Sequence, residues 1–475
     1  MDGRNFIEER PPEVEGHTSN DVRVNVRELI RLMQSKVWEQ QKLIGKSVDR
    51  NDCCIFGVPQ GFTDSEVDAR TFQPRTVSIG PYHRGKPHLR EMEKHKWRFL
   101  ERAIRRTATK NGADWEDYVT AVEGLAAVAR ASYSEDITAL KGDEFVEMLV
   151  VVEMFLAFTG VDCFHEDDPF RSMQWIQYSL HEDFLCLEDQ IPYIVLQKLF
   201  DLTTEGWNNR HSLSDTALEF FNNNNALGHD LECLHLLDLV RKSYIPKTYN
   251  KLGFTLKTHC ILEMPGGTSL LKCFPIIDWE LRHLRIGKIE SISKLRRAGI
   301  KLKLNRDWKK SFLAVKFKRG VIWMPRVALD DTAFLLNCVA FEQCHGEVRN
   351  VVSAYAVFLS CLIRTDKDVD ILREAHVLDH SLGTTADVVA FVGRLGRAAA
   401  CDVTVSYLRH VFGGVNMHYD SHWHVWANFK YENFDTYFSS PWKVTSLCAA
   451  LFLIVLTTIQ TLIAISDYFK KGKFP

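Results

Sequence analysis

Asp183 to Phe200 reads DFLCLEDQIPYIVLQKLF, an apolar segment interrupted at Pro192. Proline removes a backbone donor and clashes with the preceding turn, so one helix is predicted to stop before it and another to start after it. Asp143 to Phe158, DEFVEMLVVVEMFLAF, is apolar nearly all round after its acidic start, with Glu147 and Glu153 as exceptions. It predicts a helix buried in a large core, too short and too charged to span a membrane.

Working outward, Val22 to Ile44 places Val26, Leu29, Ile30, Met33, Val37 and Ile44 at a 3.6-residue period, the signature of an amphipathic helix. Helices are also expected from about Pro87 to Ala131 and in the stretches DTAFLLNCVAFEQC, VVSAYAVFLSCLI and DVVAFVGRLGRAA. The middle third differs. GFTLKTHCILEMP, GIKLKLN and FLAVKFKRGVIWMP alternate apolar and polar residues, which predicts short strands around 252–328 and a hairpin turning at Arg319-Gly320. The expected fold is mainly α: one large helical domain with a small β element (α+β), plus a C-terminal transmembrane helix. The expected division is a flexible tail over 1–20, the helical domain over 21–435, a juxtamembrane connector over 436–443, the membrane helix over 444–465 and a basic tail over 466–475.

Val444 to Ile465, VTSLCAALFLIVLTTIQTLIAI, carries no charge over 22 residues. At about 1.5 Å per residue it reaches roughly 33 Å, enough to cross a bilayer core. Leu451, Leu453, Ile454, Leu456 and Gln460 fall inside this span, and Trp442 and Tyr468 flank it where interfacial aromatics belong. Ser446, Ala450, Thr457, Thr461 and Ala464 form a small, weakly polar stripe that would let two such helices associate, so a homo-oligomer through this helix is one expectation. Lys470, Lys471 and Lys473 would by the positive-inside rule put the tail in the cytoplasm. The polar, acidic N-terminal stretch lacks the apolar core of a signal peptide, which argues instead for a tail-anchored chain with a cytosolic domain.

The 59 basic and 61 acidic residues of the 475-residue chain leave a formal charge of -2, so no global field draws it to nucleic acid. Twelve cysteines without a CxxC spacing read as reduced thiols, neither a disulfide framework nor a zinc site.

Thr76 to Lys96, TVSIGPYHRGKPHLREMEKHK, is the densest candidate for chemistry. Its turn could present backbone N–H groups, His83, Arg84 and Lys86 to an anion. The simpler reading is a β segment at Thr76–Ile79, turns at Gly80-Pro81 and Arg84-Gly85, and Pro87 opening a helix that turns Leu89, Met92, Phe99, Leu100 and Ile104 inward. The Walker pattern is missing, because no Ser or Thr follows Lys86. Glu188-Asp189 could be an acid/base pair, but neighbouring residues diverge and a helix-end cap is the expectation. Cys344 beside His345 reads as a core thiol. His418, His422 and His424 have no cysteine partner, and a surface or interfacial role is expected for them ahead of metal ligation.

The motifs CIFGVPQGF, FQPRTVSIGPYHRGKPHLREMEKHKWRFL, EFVEMLVVVEMF, DFLCLEDQIPYIVLQKLF, SKLRRAGIKLK, DDTAFLLNCVAFEQCH, DKDVDILREAHVLDHSLG and PWKVTSLCAALFLIVLTTIQT resemble, in order, those of the plant family called domain of unknown function 247. The resemblance covers about residues 54 to 465 and implies a plant protein with one C-terminal membrane helix. It implies no catalytic residues and no cofactor. Some grass members of that family are implicated in pollen-side self-incompatibility, so it also implies a role in recognition. Two departures stand out: Val152-Glu153-Met154-Phe155 replaces the usual Asp-Gly-Cys-Phe, and Glu188-Asp189-Gln190 replaces Glu-Asn-Gln.

The leading expectation is therefore a non-enzymatic, membrane-anchored recognition or signalling protein that works with protein partners. The alternatives are a membrane-tethered hydrolase or transferase using His83, Arg84 and Glu188, and a structural membrane tether.

Overall fold

The computed structural model describes residues 33–36, 53–63, 70–152, 174–205, 212–223, 232–245, 288–305, 311–329, 332–380, 382–421 and 441–470. The chain forms two units, Met1–Asp52 and Cys53–Pro475. In the first, residues 33–36 form a helical turn inside the helix predicted over 22–44; the rest of that helix and the 1–20 tail lie outside the described residues.

In the second unit a 3-10 turn at Pro87–Leu89 leads into α1 (Arg90–Lys110). Pro87 stands at the first position, where its missing N–H deprives no bond. Leu89, Met92, Phe99, Leu100 and Ile104 are all buried, following the predicted spacing. Lys96 does not face solvent: it is buried and donates to the Ser78 carbonyl and to Glu93.

An Asp114/Asp117 capping box starts α2 (Trp115–Glu123), and α3 (Ala126–Ala131) follows. The helix expected from Asp143 is α4 (Gly142–Val151). It buries Phe145, Met148, Leu149, Val150 and Val151 but leaves Glu147 exposed against Arg84, so it is one-sided within the described residues; 153–158 lie outside them. Next come α5 (Gln174–Asp183) and α6 (Tyr193–Thr204), the latter starting directly after Pro192 as predicted. The chain between them holds a 3-10 turn at Leu187–Asp189. α7 (Leu213–Phe220) and α8 (Leu236–Tyr244) complete this half.

The predicted strand GFTLKTHCILEMP lies outside the described residues. The other two stretches form a sheet beyond α9 (Ile292–Arg297): β1 (Lys301–Leu304), β2 (Lys316–Lys318) and β3 (Val321–Met324), in the order β1-β3-β2. β2 and β3 pair antiparallel, β1 and β3 parallel. The hairpin turns at Arg319-Gly320, both at positive φ (51° and 73°), as a tight two-residue turn that follows the strand twist requires. A second parallel pair joins β4 (Val327–Ala328) to β5 (Leu378–Asp379).

One hydrophobic core runs through the unit from Cys54 to Val415, and α10 (Thr332–Cys344), α11 (Val351–Leu362), α12 (Asp366–Glu374) and α13 (Thr385–Ala398) pack its C-terminal part. α10 buries every residue from Phe334 to Glu342, and α11 buries ten of its positions, so these two are apolar round their circumference. α13 approaches α11 so closely that a Cβ on Gly396 would lie 2.3 Å from the Ser360 Cβ. α14 (Arg409–Asp420) lies on the hairpin, with Gly414 against the Phe317 ring and His418 against Gly320.

α15 (Pro441–Lys470) is a single 30-residue helix. Its segment Cys448–Ser466 has a mean hydropathy of 2.4 and buries none of its surface. Leu451, Leu453, Ile454 and Leu456 are exposed, and so is Gln460. Trp442 and Tyr468 lie within the helix, which therefore continues beyond both predicted ends of the span.

Candidate functional site

The candidate residues of TVSIGPYHRGK meet the turn LEDQ, about a hundred residues away. Thr76–Ile79 forms no strand of a sheet: Thr76 lies in a bend, and the N–H groups of Thr76, Val77 and Ile79 are taken by carboxylates. Asp183, the last residue of α5, accepts from the N–H of Arg75 at 2.7 Å, Thr76 at 2.7 Å and Val77 at 2.8 Å. Asp189 accepts from the N–H of Ile79 at 2.8 Å and Gly80 at 2.9 Å, and from the Ser78 hydroxyl at 2.7 Å. Two side chains thus do what a neighbouring strand does elsewhere: they satisfy a run of backbone donors that passes from the surface at Arg75 into the core at Val77–Gly80.

Gly80 permits this closeness, since a Cβ there would sit 2.9 Å from the Gln190 carbonyl oxygen. Asp189 is therefore no helix-end cap. It is a fully buried clamp on the earlier segment.

Glu188 points to the other side. Its Oε1 accepts from the Val58 N–H at 2.8 Å, and its Oε2 lies 2.9 Å from His83 Nε2. The predicted pair His83 and Glu188 does meet, while Arg84 turns away to Glu147 at 2.7 Å. The His83 ring is 3% exposed, and its Nδ1 has no hydrogen-bond partner among the described residues. The pair can hold a proton, but a substrate reaches it only if the turn opens.

The same turn is a joint for other elements. Gln190 Nε2 donates to the carbonyls of Phe184 and Cys186, and its Oε1 accepts from Leu237 N–H at the start of α8. Asn337 of α10 accepts from Leu187 N–H at 2.8 Å and donates to the Thr71 carbonyl. Burial raises the Asp183 carboxyl to about 7, the three backbone N–H groups opposing it. Asp189 is raised by burial too, with His83 and its own donors pulling the other way.

A second buried polar cluster follows no sequence motif. Arg241 of α8 donates to Asp238 at 3.2 Å and to Glu342 of α10 at 3.0 Å. Glu342 also accepts from the N–H groups of Val351, Val352 and Ser353 at the start of α11, where a negative charge complements the helix dipole. Lys242 reaches Asp238 at 2.7 Å. His235 caps α8 by accepting the Asp238 N–H on Nδ1, and burial lowers it to about 4. The signal available in the sequence was the presence of Glu342 and Asn337 in an otherwise apolar helix.

Among the described residues no group of three His, Cys, Asp or Glu side chains could hold a metal ion. His345 packs edge-on against Phe56 and Phe341, and burial raises the neighbouring Cys344 thiol to about 11. His418 is half-buried and meets the Phe317 ring edge-on; His422 and His424 lie outside the described residues.

Residues 55–456 match the family described as a plant protein of unknown function, domain of unknown function 247. The chain belongs to this family. Within domain of unknown function 247 it is similar to the UPF0481 protein At3g47200 of Arabidopsis thaliana, 33% identical over 90% of each chain. It is also similar to the putative UPF0481 protein At3g02645 of the same plant, 22% identical over 86% of this chain and 89% of the relative. No solved structure matches. The family match runs through the clamp from Ile55 to Gln190 and on into α15.

Proposed function

We propose that this member of domain of unknown function 247 is anchored by α15 in a membrane and acts by protein recognition or signalling, with its domain in the cytosol. The observation that carries the reading is the Cys448–Ser466 segment, 19 residues long and wholly unburied, which a soluble domain has no means of sheltering. The recognition role is supported by exposed aromatics on the helical domain, Trp97, Trp115, Trp175 and Tyr178, a residue class that carries binding energy at interfaces. The family resemblance adds pollen–pistil self-incompatibility as one setting.

The test is protease treatment of intact vesicles bearing the full chain. Cleavage of the domain is expected, together with release of a chain lacking 444–475 into the soluble fraction. Full protection of the domain would overturn the orientation, and a soluble full-length chain would overturn the anchor.

The proposal extends to self-association of α15. The Thr457, Thr458 and Thr461 hydroxyls donate to carbonyls of their own helix, whereas the Gln460 carboxamide has no hydrogen bond among the described residues. A mid-span carboxamide is both donor and acceptor, so it pairs with its copy on a second helix. Gln460→Leu should lower energy transfer between labelled copies in bilayers; unchanged transfer removes the idea.

A second reading, a tethered hydrolase or transferase at His83 and Glu188, is favoured by the unpartnered Nδ1 of His83 beside a carboxylate. An active-site-directed reagent that labels wild type but not His83→Gln would support it.

A further inference from the structure

Away from the clamp, a cavity of about 300 Å³ opens where the carboxyl end of β1, Arg326 just before β4, and β5 meet the end of α12. This is the lower end of the range for small-molecule sites, about 300–1,000 Å³. It is lined by Leu304, Arg326, Arg373, His376, Leu378 and Asp379. Leu378 is buried and Leu304 half-buried, which gives the cavity an apolar part.

The remaining lining is polar, with cations outnumbering the single carboxylate. Asp379 is already engaged by Arg326, so its charge is offset. Arg373 and His376 have no ion pair among the described residues, and both are exposed. The end of a helix ordinarily repels an anion through its bare carbonyls. Here three of the last four carry hydrogen bonds: Ala375 donates its N–H to the Ile371 carbonyl at 3.1 Å, His376, at φ 55°, to that of Arg373 at 2.9 Å, and Val377 to that of Leu372 at 3.0 Å.

We propose that this cavity binds a small anion with an apolar body, an aromatic carboxylate or an aromatic phosphate monoester. The anionic group lies on Arg373 and His376 and the ring lies on Leu304 and Leu378. Guanidinium suits both headgroups, because its planar fork matches paired oxygens. The site is independent of the anchor and of the recognition role.

The experiment uses full-length protein in lipid nanodiscs, with binding read by calorimetry or ligand-observed NMR. The probes are benzoate, phenyl phosphate, inorganic phosphate and benzylammonium. Benzoate or phenyl phosphate should bind, the tighter of the two identifying the headgroup. Inorganic phosphate, lacking the ring, should bind about tenfold more weakly, and benzylammonium not measurably.

Arg373→Gln, at an exposed position, should weaken the aromatic anion about tenfold, and Asp379→Asn, which frees Arg326, should tighten it by about threefold or more. The proposal is overturned if neither aromatic anion binds, if benzylammonium binds as well as they do, or if Arg373→Gln and Asp379→Asn both leave affinity within about twofold. Circular dichroism of each variant separates loss of binding from loss of fold.

Discussion

The Arg241 guanidinium donates to the Glu342 carboxylate at 3.0 Å, and that same carboxylate receives the first N–H groups of α11. One acidic residue of α10 therefore fixes α8 and starts α11. Arg241→Met leaves both Asp238 and Glu342 without their shared cation in a fully buried place. Removing one partner of a buried ion pair typically costs about 3–5 kcal/mol, so this variant is expected to lose that much in a denaturant titration. A loss under about 1 kcal/mol would show that Lys242 and the α11 amides suffice.

His235, completely buried, caps α8 through Nδ1 and stays neutral because burial lowers it to about 4. In the unfolded chain it titrates near 6.5, so the unfolded state takes up a proton first as pH falls. Stability from this group is present above about 6.5 and is lost as pH falls toward 4, amounting to roughly 3 kcal/mol. His235→Asn keeps a capping oxygen and removes the titration. The difference between wild type and variant, measured at pH 7 and pH 4.5, should shrink on the acid side; a constant difference would count against the account.

Gly396 lets α13 lie against α11, with the position of its missing Cβ only 2.3 Å from the Ser360 Cβ. Gly396→Ala must push the helices apart, an overpacking that typically costs about 1–3 kcal/mol. Ser360→Gly in the same chain should recover most of that loss, while Ser360→Ala should not, because it keeps the clashing carbon. Equal melting temperatures for Gly396→Ala and wild type would show that the helices yield freely.

What could be read from the sequence was local. Pro87 and Pro192 marked helix starts, Arg319-Gly320 marked the hairpin, and the charge-free run gave α15, because each depends on residues within a turn or two. The clamp was not readable in the same way. Asp183 meets Arg75–Val77 across more than a hundred residues, and Arg241 meets Glu342 across a similar gap. Polar pairs of that kind leave no period in the chain. The β segment expected at Thr76–Ile79 is no strand, since the carboxylates of Asp183 and Asp189 take N–H groups that a neighbouring strand would have paired. His83 and Glu188 were foreseen together, but the buried neighbour Asp189 holds more of the structure.

That ranking of two adjacent acids can be tested directly. Asp189 is wholly buried and accepts three hydrogen bonds, two from backbone amides. Asp189→Asn turns an acceptor into a donor facing other donors, and each buried donor left unpaired costs about 1–3 kcal/mol. A total loss of about 3 kcal/mol is expected, together with faster hydrogen exchange at Ile79 and Gly80. Glu188 is a fifth exposed on its side chain (20%), and Glu188→Gln retains an oxygen for the Val58 amide while water can reach the rest. Its cost should stay under about 1 kcal/mol. If Glu188→Gln proved the more damaging of the two, the weight of the turn would rest on the His83 pair, and the clamp on Ser78–Gly80 would be secondary.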